Sequence, residues 1–217
     1  MMTQNTKKSM SNTKKLTGLA MFAALAYAIM FVGRIPIVLF LKYDPKDFIL
    51  LIAAFIYGIV PAGIVTVIVC VLETLTASDT GIIGLLMNIV ATFAFLIPAN
   101  YAFRKNKEMK NVVIGLVIST FFMTAIMILW NWVVTPFYMH VPRTEVVKLL
   151  VPAIMPFNII KGFANSALTL IFYRKILKVR EDFFEQGDAD KEVTLRDTII
   201  SAGVLAIVAL VMYFLIR

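Results

Sequence analysis

Long apolar runs alternate with short polar intervals along almost the whole chain. A helix needs about 20 mainly apolar residues to cross the roughly 30 Å hydrocarbon core of a bilayer, and the chain supplies such runs repeatedly. Backbone in lipid must satisfy its own hydrogen bonds, which favours helices, and the alternating segments of a transmembrane barrel are missing. We therefore predict an all-α polytopic membrane bundle with helices near 16–33, 48–60, 61–77, 82–103, 112–137, 148–173 and 198–216.

Breaks in the apolar pattern predict how the chain is organised. The second and third helices are short, and Gly58, Pro61 and Gly63 between them indicate a tight turn or a broken helix pair. The interval 179–197 is the linker-like stretch. We divide the chain into a basic N-terminal segment 1–15, a six-helix membrane domain 16–178, a polar linker 179–197 and an additional hydrophobic helix 198–217.

Composition and charge agree with a membrane protein. Hydrophobic residues make up 60% of the chain and charged residues 16%, far more apolar surface than one soluble core can hide. The net charge of +8 comes from clusters beside apolar runs, which argues against nucleic acid as a partner. With the N-terminus in the cytoplasm, fourteen Lys and Arg residues flank helices inside and six flank them outside. The excess predicts a cytoplasmic N-terminus.

Three polar residues form a stripe along the sixth helix. Asn158, Lys161 and Asn165 are spaced three and four apart, so a helix places them on one face. A lysine deep in an apolar helix costs about 2.5–3.5 kcal/mol on insertion scales, which is usually tolerated for binding, ion pairing or transport. The structural alternative is that Lys161 pairs with a carboxylate or extends to the interface.

Near its predicted outer end, the fifth helix has an asparagine between two tryptophans. Trp130 and Trp132 are typical of an interfacial aromatic belt, which requires no ligand. Asn131 between them lies some way inside the helix end. An outside loop joins this helix to the next, and we expect Asn131 to lie near Asn158 and Lys161.

Further outside candidates lie on the first loop and on the helices that follow it. The loop 34–47 combines apolar residues with a charged tip that contains Lys42, Tyr43 and Asp44. It fits either an ordinary connector or a cover over a binding site. Glu73 near the outer end of the third helix and Asn88 in the fourth are candidates on the same side, although Glu73 could simply reach the headgroups.

Small residues recur on one face of the first helix. Ala20, Ala24 and Ala28 are four residues apart and form a smooth ridge, on which another helix can approach closely. The ridge fits either a contact within the chain or a partner interface.

Enzyme signatures do not occur in the sequence. There is no G-x-x-x-x-G-K-[ST] loop for ATP. His140 is the one histidine and Cys70 the one cysteine, which argues against a metal cluster or a Ser-His protease. We expect a non-enzymatic protein without a cofactor.

Three stretches resemble a known family, the riboflavin-specific substrate-binding subunit, or S component, of energy-coupling factor (ECF) vitamin transporters. They are 40–47, Trp130-Asn131-Trp132 with Pro136, and the Pro-Phe-Asn-Ile-Ile-Lys-Gly stretch 156–162; the resemblance covers about 16–178. It implies a prokaryotic cell-membrane protein with a six-helix fold whose first loop closes over riboflavin.

The resemblance also implies roles for individual residues and partners. Asn131, Asn158 and Lys161 would hydrogen-bond the polar edge of the flavin ring, while Glu73 and the first loop would hold or cover it. The ridge would dock on a membrane-embedded coupling subunit driven by two cytoplasmic ATPases. The tail from 198 departs from the family as an additional helix.

Two other functions remain open from the residues alone. One is a self-sufficient secondary transporter that uses Lys161 as a proton-linked switch, for which internal symmetry and matching broken helices would be expected. The other is a structural membrane protein in which the polar stripe only joins helices.

Overall fold

The computed structural model describes residues 12–38, 41–77 and 80–183. The predicted segment 198–217 lies outside this range, as does most of the predicted basic N-terminal segment. The elements are α1 Asn12–Gly33, β1 Ile35–Val38, β2 Leu41–Tyr43, α2 Lys46–Tyr57, α3 Ile59–Thr76, α4 Gly81–Lys105, α5 Met109–Met139, α6 Arg143–Leu149, a π-helical turn Leu150–Ile154 and α7 Met155–Phe183.

The helices form a membrane bundle, which confirms the predicted fold class. Within the described ranges, five stretches are long and apolar enough to cross a bilayer, namely α1, α3, α4, most of α5, and Arg143–Arg180. The short helix α2 follows α1 and is a sixth helix of the bundle in the described ranges.

Helix α2 is the centre of the bundle. It packs against α1, α3, α4 and α7, and nearly all of its residues are buried. A helix of 12 residues is about 18 Å long, too short to cross the hydrocarbon core alone. Its first residues, Lys46 and Asp47, are fully buried for that reason.

The break between α2 and α3 lies where the sequence predicts it. Gly58 has a φ of 98°, a left-handed conformation that glycine adopts without steric cost. Pro61 lies in the first turn of α3. Backbone N–H groups in a first turn have no acceptor within the helix, so the N–H that proline lacks costs no hydrogen bond there.

Two features differ from the predicted elements. The loop between α1 and α2, predicted to lie outside, contains an antiparallel hairpin in which Ile35 pairs with Tyr43 and Val38 with Leu41. The single helix predicted at 148–173 is instead the series α6, π-helical turn and α7. Pro152 lies within the π-helical turn and has no backbone N–H to donate, which suits a wider turn. Helix α7 then continues to Phe183, into the stretch predicted as a linker.

Candidate functional site

The ammonium of Lys161 is held by a buried carboxylate. Its Nζ lies 3.0 Å from Oδ2 of Asp47 at the start of α2. The second carboxylate oxygen of Asp47 accepts a hydrogen bond of 2.7 Å from the Thr92 hydroxyl on α4. Asp47 is fully buried, and Lys161 is 5% exposed. An isolated charge here would be costly, and the pair reduces that cost. The structure therefore contains the carboxylate partner that the structural alternative describes.

Three asparagines flank Lys161 along α5 and α7, and all three are buried. The amide nitrogen of Asn131 donates to the Met127 carbonyl at 2.7 Å, and its oxygen accepts from Thr135 at 2.8 Å. Asn158 donates to the Ile154 carbonyl in the π-helical turn at 2.8 Å. Asn165 donates to the Lys161 carbonyl, and its buried oxygen has no hydrogen-bond partner among the described residues. An asparagine amide offers two donors and an acceptor, so these residues keep capacity for further polar contacts.

Helices α5 and α7 are in tight contact at Gly162. A Cβ built on this glycine would lie 2.5 Å from Cγ2 of Thr120, so only glycine fits. With 1.5 Å of rise per residue from this contact, Asn131 lies about 10 Å closer to the hairpin end of the bundle than Asn158 along the helix axes. Side chains tilt towards the N-terminus of their helix. Because the two helices are antiparallel, the side chains of Asn131 and Asn158 tilt towards each other, which shortens this separation without closing it.

A second buried charge cluster surrounds Glu73. One of its oxygens accepts hydrogen bonds from Arg34 and, at 3.0 Å, from the Asn88 amide. The other oxygen lies 2.9 Å from Nζ of Lys46, which also contacts Asp44 at 3.0 Å. Glu73 is therefore engaged inside the protein and does not reach the headgroups.

The hairpin lies over the start of α7. Leu41 is buried against Ile154 and Phe157 in a small apolar cluster separate from the main core, and half-buried Tyr43 packs against this cluster. Lys42, from the same strand, lines a pocket of about 430 Å³ that Arg34 also lines. The strand therefore presents Leu41 and Tyr43 to the α7 side and Lys42 to the opposite side.

Charges in the two clusters balance. Among the ion pairs of the described residues, three cations, Arg34, Lys46 and Lys161, face three anions, Asp44, Asp47 and Glu73. Burial opposes ionisation of Asp44, but the ammonium groups of Lys46 and Lys161 outweigh this and hold the pKa of its carboxyl below its ordinary value. For Tyr43, burial raises the pKa of the phenol, so the hydroxyl stays neutral and can donate.

Sequence reasoning missed several of these residues. Asp47 and Lys46 precede a fully apolar helix and look like solvated loop charges, and Arg34 looks like an orientation signal. Thr92 carries no sequence signal at all. Two signals were available. Lys46 and Asp47 belong to the stretch 40–47 that resembles the family, and they stand immediately before a segment too short to span a bilayer.

The ridge of Ala20, Ala24 and Ala28 is exposed along its whole length. The buried residues of α1, Phe22, Ala26 and Met30, lie on the opposite face. The ridge therefore points away from the other helices, and within the part of the chain that the structure describes it makes no buried contact.

The two tryptophans beside Asn131 have different environments. Trp130 is buried in the main core. Trp132 is partly exposed, and the Arg143 guanidinium lies 5.5 Å from the centre of its ring. Only Trp132 fits an interfacial belt.

A family model matches residues 14–173, which include both charge clusters and the three asparagines. Its description is "ECF transporter, substrate-specific component". The match starts in the first turn of α1 and ends within α7.

Several bacterial transporters are similar to this chain. The riboflavin transporter RibU of Staphylococcus aureus (strain TCH60) is 30% identical over 179 residues, 78% of this chain and 94% of that protein. The riboflavin transporter FmnP of Bacillus subtilis (strain 168) is 29% identical over 189 residues, 81% of this chain and 97% of that protein.

One solved structure, described as the S component of a bacterial ECF transporter, shares the fold. It aligns with a TM-score of 0.65 at 29% identity and covers 78% of this chain and 98% of that chain.

Proposed function

The chain belongs to the substrate-specific components of ECF transporters, and on that premise we propose that it captures riboflavin as the substrate-binding subunit of an ATP-driven ECF transporter. It is a multi-pass membrane protein and not an enzyme. Riboflavin is its transported ligand and not a cofactor. The observation that carries the function is a buried ammonium with flanking amides beneath a hairpin, at one end of a family fold whose named relatives are riboflavin transporters.

Polar groups of α5 and α7 suit the edge of a flavin ring. The ring has an apolar body and a carbonyl and imide edge, which needs both donors and acceptors. The amides of Asn131 and Asn158 supply both, and the Lys161 ammonium supplies a charged donor. Leu41 and Tyr43 of the hairpin cover the outer side. Pockets of this kind are largely apolar with a few placed polar groups.

The two rival functions account for less of the structure. A structural protein would explain the Lys161–Asp47 pair but not the exposed hairpin that packs over it with a small separate cluster. A secondary transporter would need matching broken helices in two related halves. In the described range, the π-helical turn before α7 has no counterpart before α4.

We expect the purified protein to bind one riboflavin per chain, seen as flavin absorption and quenching of flavin fluorescence. Asn131→Ala and Asn158→Ala should each weaken binding about tenfold to a hundredfold, because each removes hydrogen bonds to the ring edge. Asn111→Ala, the same change near the inner end of α5, should have no effect. A colourless wild-type protein without saturable riboflavin binding would refute the function.

We propose a cytoplasmic N-terminus, supported by the excess of Lys and Arg on one side. This orientation places the hairpin and the Lys161 cluster towards the outside. The same fluorescence titration, performed on right-side-out vesicles, should then reach full binding without permeabilisation. Binding that appears only after permeabilisation would reverse the assigned orientation.

Membership of the family implies an ECF module as partner, and we propose its composition as a membrane-embedded coupling subunit with two cytoplasmic ATPases. The exposed alanine ridge of α1 supports this, because small residues allow another helix to approach closely in lipid. The chain's lack of an ATP-binding loop is consistent with energy supplied by other subunits.

Ala24→Leu should leave riboflavin affinity unchanged and reduce riboflavin uptake by cells to background, because the larger side chain blocks the ridge. Uptake of labelled riboflavin and co-purification with the module measure the two effects. Ala167→Leu, the same enlargement on an exposed position of α7, is the control. Normal uptake by Ala24→Leu would remove the ridge from the partner interface.

A further inference from the structure

A groove of about 500 Å³ lies between α1 and α7 at the end of the bundle opposite the hairpin. Both helices pack against α2, whose last two turns form the floor of the groove. The walls come from the first half of α1, between Thr13 and Phe22, and from 172–179 of α7. Sites for small, mostly apolar molecules usually have volumes of about 300–1,000 Å³. This α1–α7 groove is therefore large enough to hold a ligand of its own.

The deep part of the α1–α7 groove is apolar. Phe22, Ile56 and Ile176 line it and are buried. The rings of Phe22 and Tyr57 meet edge to face, with their centres 6.0 Å apart. Tyr57 also lies against the backbone of α1 at Gly18, where a Cβ would overlap its hydroxyl group. The apolar lining is therefore built into the packing of α1 against α2.

Two exposed lysines line the same groove, Lys14 on the α1 wall and Lys175 on the α7 wall. They are the charged residues among the described residues that line it. Nζ of Lys175 lies 5.8 Å from the centre of the Phe172 ring, a favourable position for a cation over an aromatic face. Lys14 lies two residues before the apolar run of α1 begins at Leu16, which places its ammonium at the level of the lipid headgroups. The groove thus has a cationic rim above an apolar interior.

We propose that the α1–α7 groove binds an anionic phospholipid, with an acyl chain against the apolar lining and the phosphate between Lys14 and Lys175. A phospholipid carries both features on one molecule, and it carries them at the depth at which the groove presents them. Basic pockets between transmembrane helices recognise anionic headgroups in this way. The site is separate from the Lys161 cluster and does not depend on riboflavin binding.

Other occupants match the α1–α7 groove less well. The additional apolar segment 198–217 has Arg217 as its one charged residue, so it brings no negative charge to the two lysines. A second copy docked groove to groove would bring four lysines together, and like charges across an interface are costly. A free anion would use the lysines but leave the apolar lining uncovered. Charge and apolar surface together favour the lipid.

Native mass spectrometry of the full chain, supplied with phosphatidylglycerol or phosphatidylcholine, tests the proposal. Wild type should retain one phosphatidylglycerol and prefer it to phosphatidylcholine. Lys14→Gln with Lys175→Gln should weaken phosphatidylglycerol binding about tenfold to thirtyfold, because two cations beside the phosphate are lost, and leave phosphatidylcholine binding unchanged.

Lys105→Gln with Lys110→Gln is the matched control, since these two exposed lysines do not line the groove. This pair of changes should bind both lipids like wild type. Equal retention of the two lipids by wild type, or an equal loss in the control, would overturn the proposal.

Met21→Trp tests the apolar part of the groove. The larger side chain narrows the space between α1 and α7, so it should weaken retention of phosphatidylglycerol and phosphatidylcholine alike. Leu25→Trp, the same enlargement at an exposed position of α1 that does not line the groove, is the control. Glycerol phosphate should not displace phosphatidylglycerol; if it did, the site would serve a free anion and the proposal would fail. Riboflavin affinity should stay at the wild-type value in every variant, which separates this proposal from the proposed function.

Benzoylphenylalanine in place of Met21 identifies the occupant in native membranes. After irradiation, the peptide that contains position 21 should carry the mass of a phospholipid, enriched in anionic headgroups relative to the same probe at position 25. Cross-linking to 198–217 of the same chain, or to a second copy, would assign the groove to that occupant and overturn the proposal.

Discussion

Lys161→Met should weaken riboflavin binding by about a hundredfold or more in a fluorescence titration. The substitution removes a charged donor from the ring edge and leaves Asp47 buried without its partner, and both losses are large in a low-dielectric site. Lys148→Met, the same change in an exposed ion pair on α6, is the control and should bind like wild type.

A second substitution separates the ligand role of Lys161 from its structural role. Lys161→Met with Asp47→Asn removes both charges, so thermal stability should recover towards that of wild type. Riboflavin binding should remain weak, because the ammonium is still missing. If the double variant also regained affinity, Lys161 would serve only to neutralise Asp47.

Gly162→Ala should destabilise the protein by about 1–3 kcal/mol, the usual cost of overpacking a tight contact. It should also lower riboflavin affinity, because the added methyl group pushes α7, with Asn158 and Lys161, away from α5. A Cβ at this position meets Cγ2, Oγ1 and Cβ of Thr120 within 3 Å. Thermal unfolding and the riboflavin titration measure the two effects.

Moving the glycine to the facing helix provides the compensating variant. Gly162→Ala with Thr120→Gly restores the space between α5 and α7 and should recover most of the riboflavin affinity. Ala167→Val, which adds volume to an exposed position of α7, should be neutral. If Gly162→Ala bound riboflavin like wild type, the close α5–α7 contact would not determine the geometry of the site.

Much of the fold follows from the sequence because membrane helices have a strong local signal. Apolar length predicts the passes, and Gly58 with Pro61 predicts the break after α2. The hairpin has no such signal, since its strands of four and three residues are too short to show alternation. The π-helical turn is also hidden, because Pro152 predicts an irregularity but not its type.

The polar stripe of α7 is predictable and its partners are not. The spacing of Asn158, Lys161 and Asn165 places them on one face, and all three are buried as expected for functional residues in a membrane helix. The partner of Lys161 is Asp47, which is far away in the sequence. The sequence shows which residues are charged, but only the packing of the helices determines which charged side chains contact each other.

The alanine ridge on α1 is likewise only partly predictable from the sequence. Periodicity predicts that Ala20, Ala24 and Ala28 share a face, but it does not predict which way that face points. The direction is set by Phe22, Ala26 and Met30, which anchor the opposite face in the bundle. Exposure to lipid therefore follows from the tertiary structure.

Equal numbers of positive and negative side chains in the buried clusters have an electrical consequence. Riboflavin is uncharged at neutral pH, so its capture moves no net charge into or across the membrane. The membrane potential does work only on net charge, about 2.3 kcal/mol per elementary charge per 100 mV. We therefore expect riboflavin affinity to be the same in polarised and in depolarised membrane vesicles.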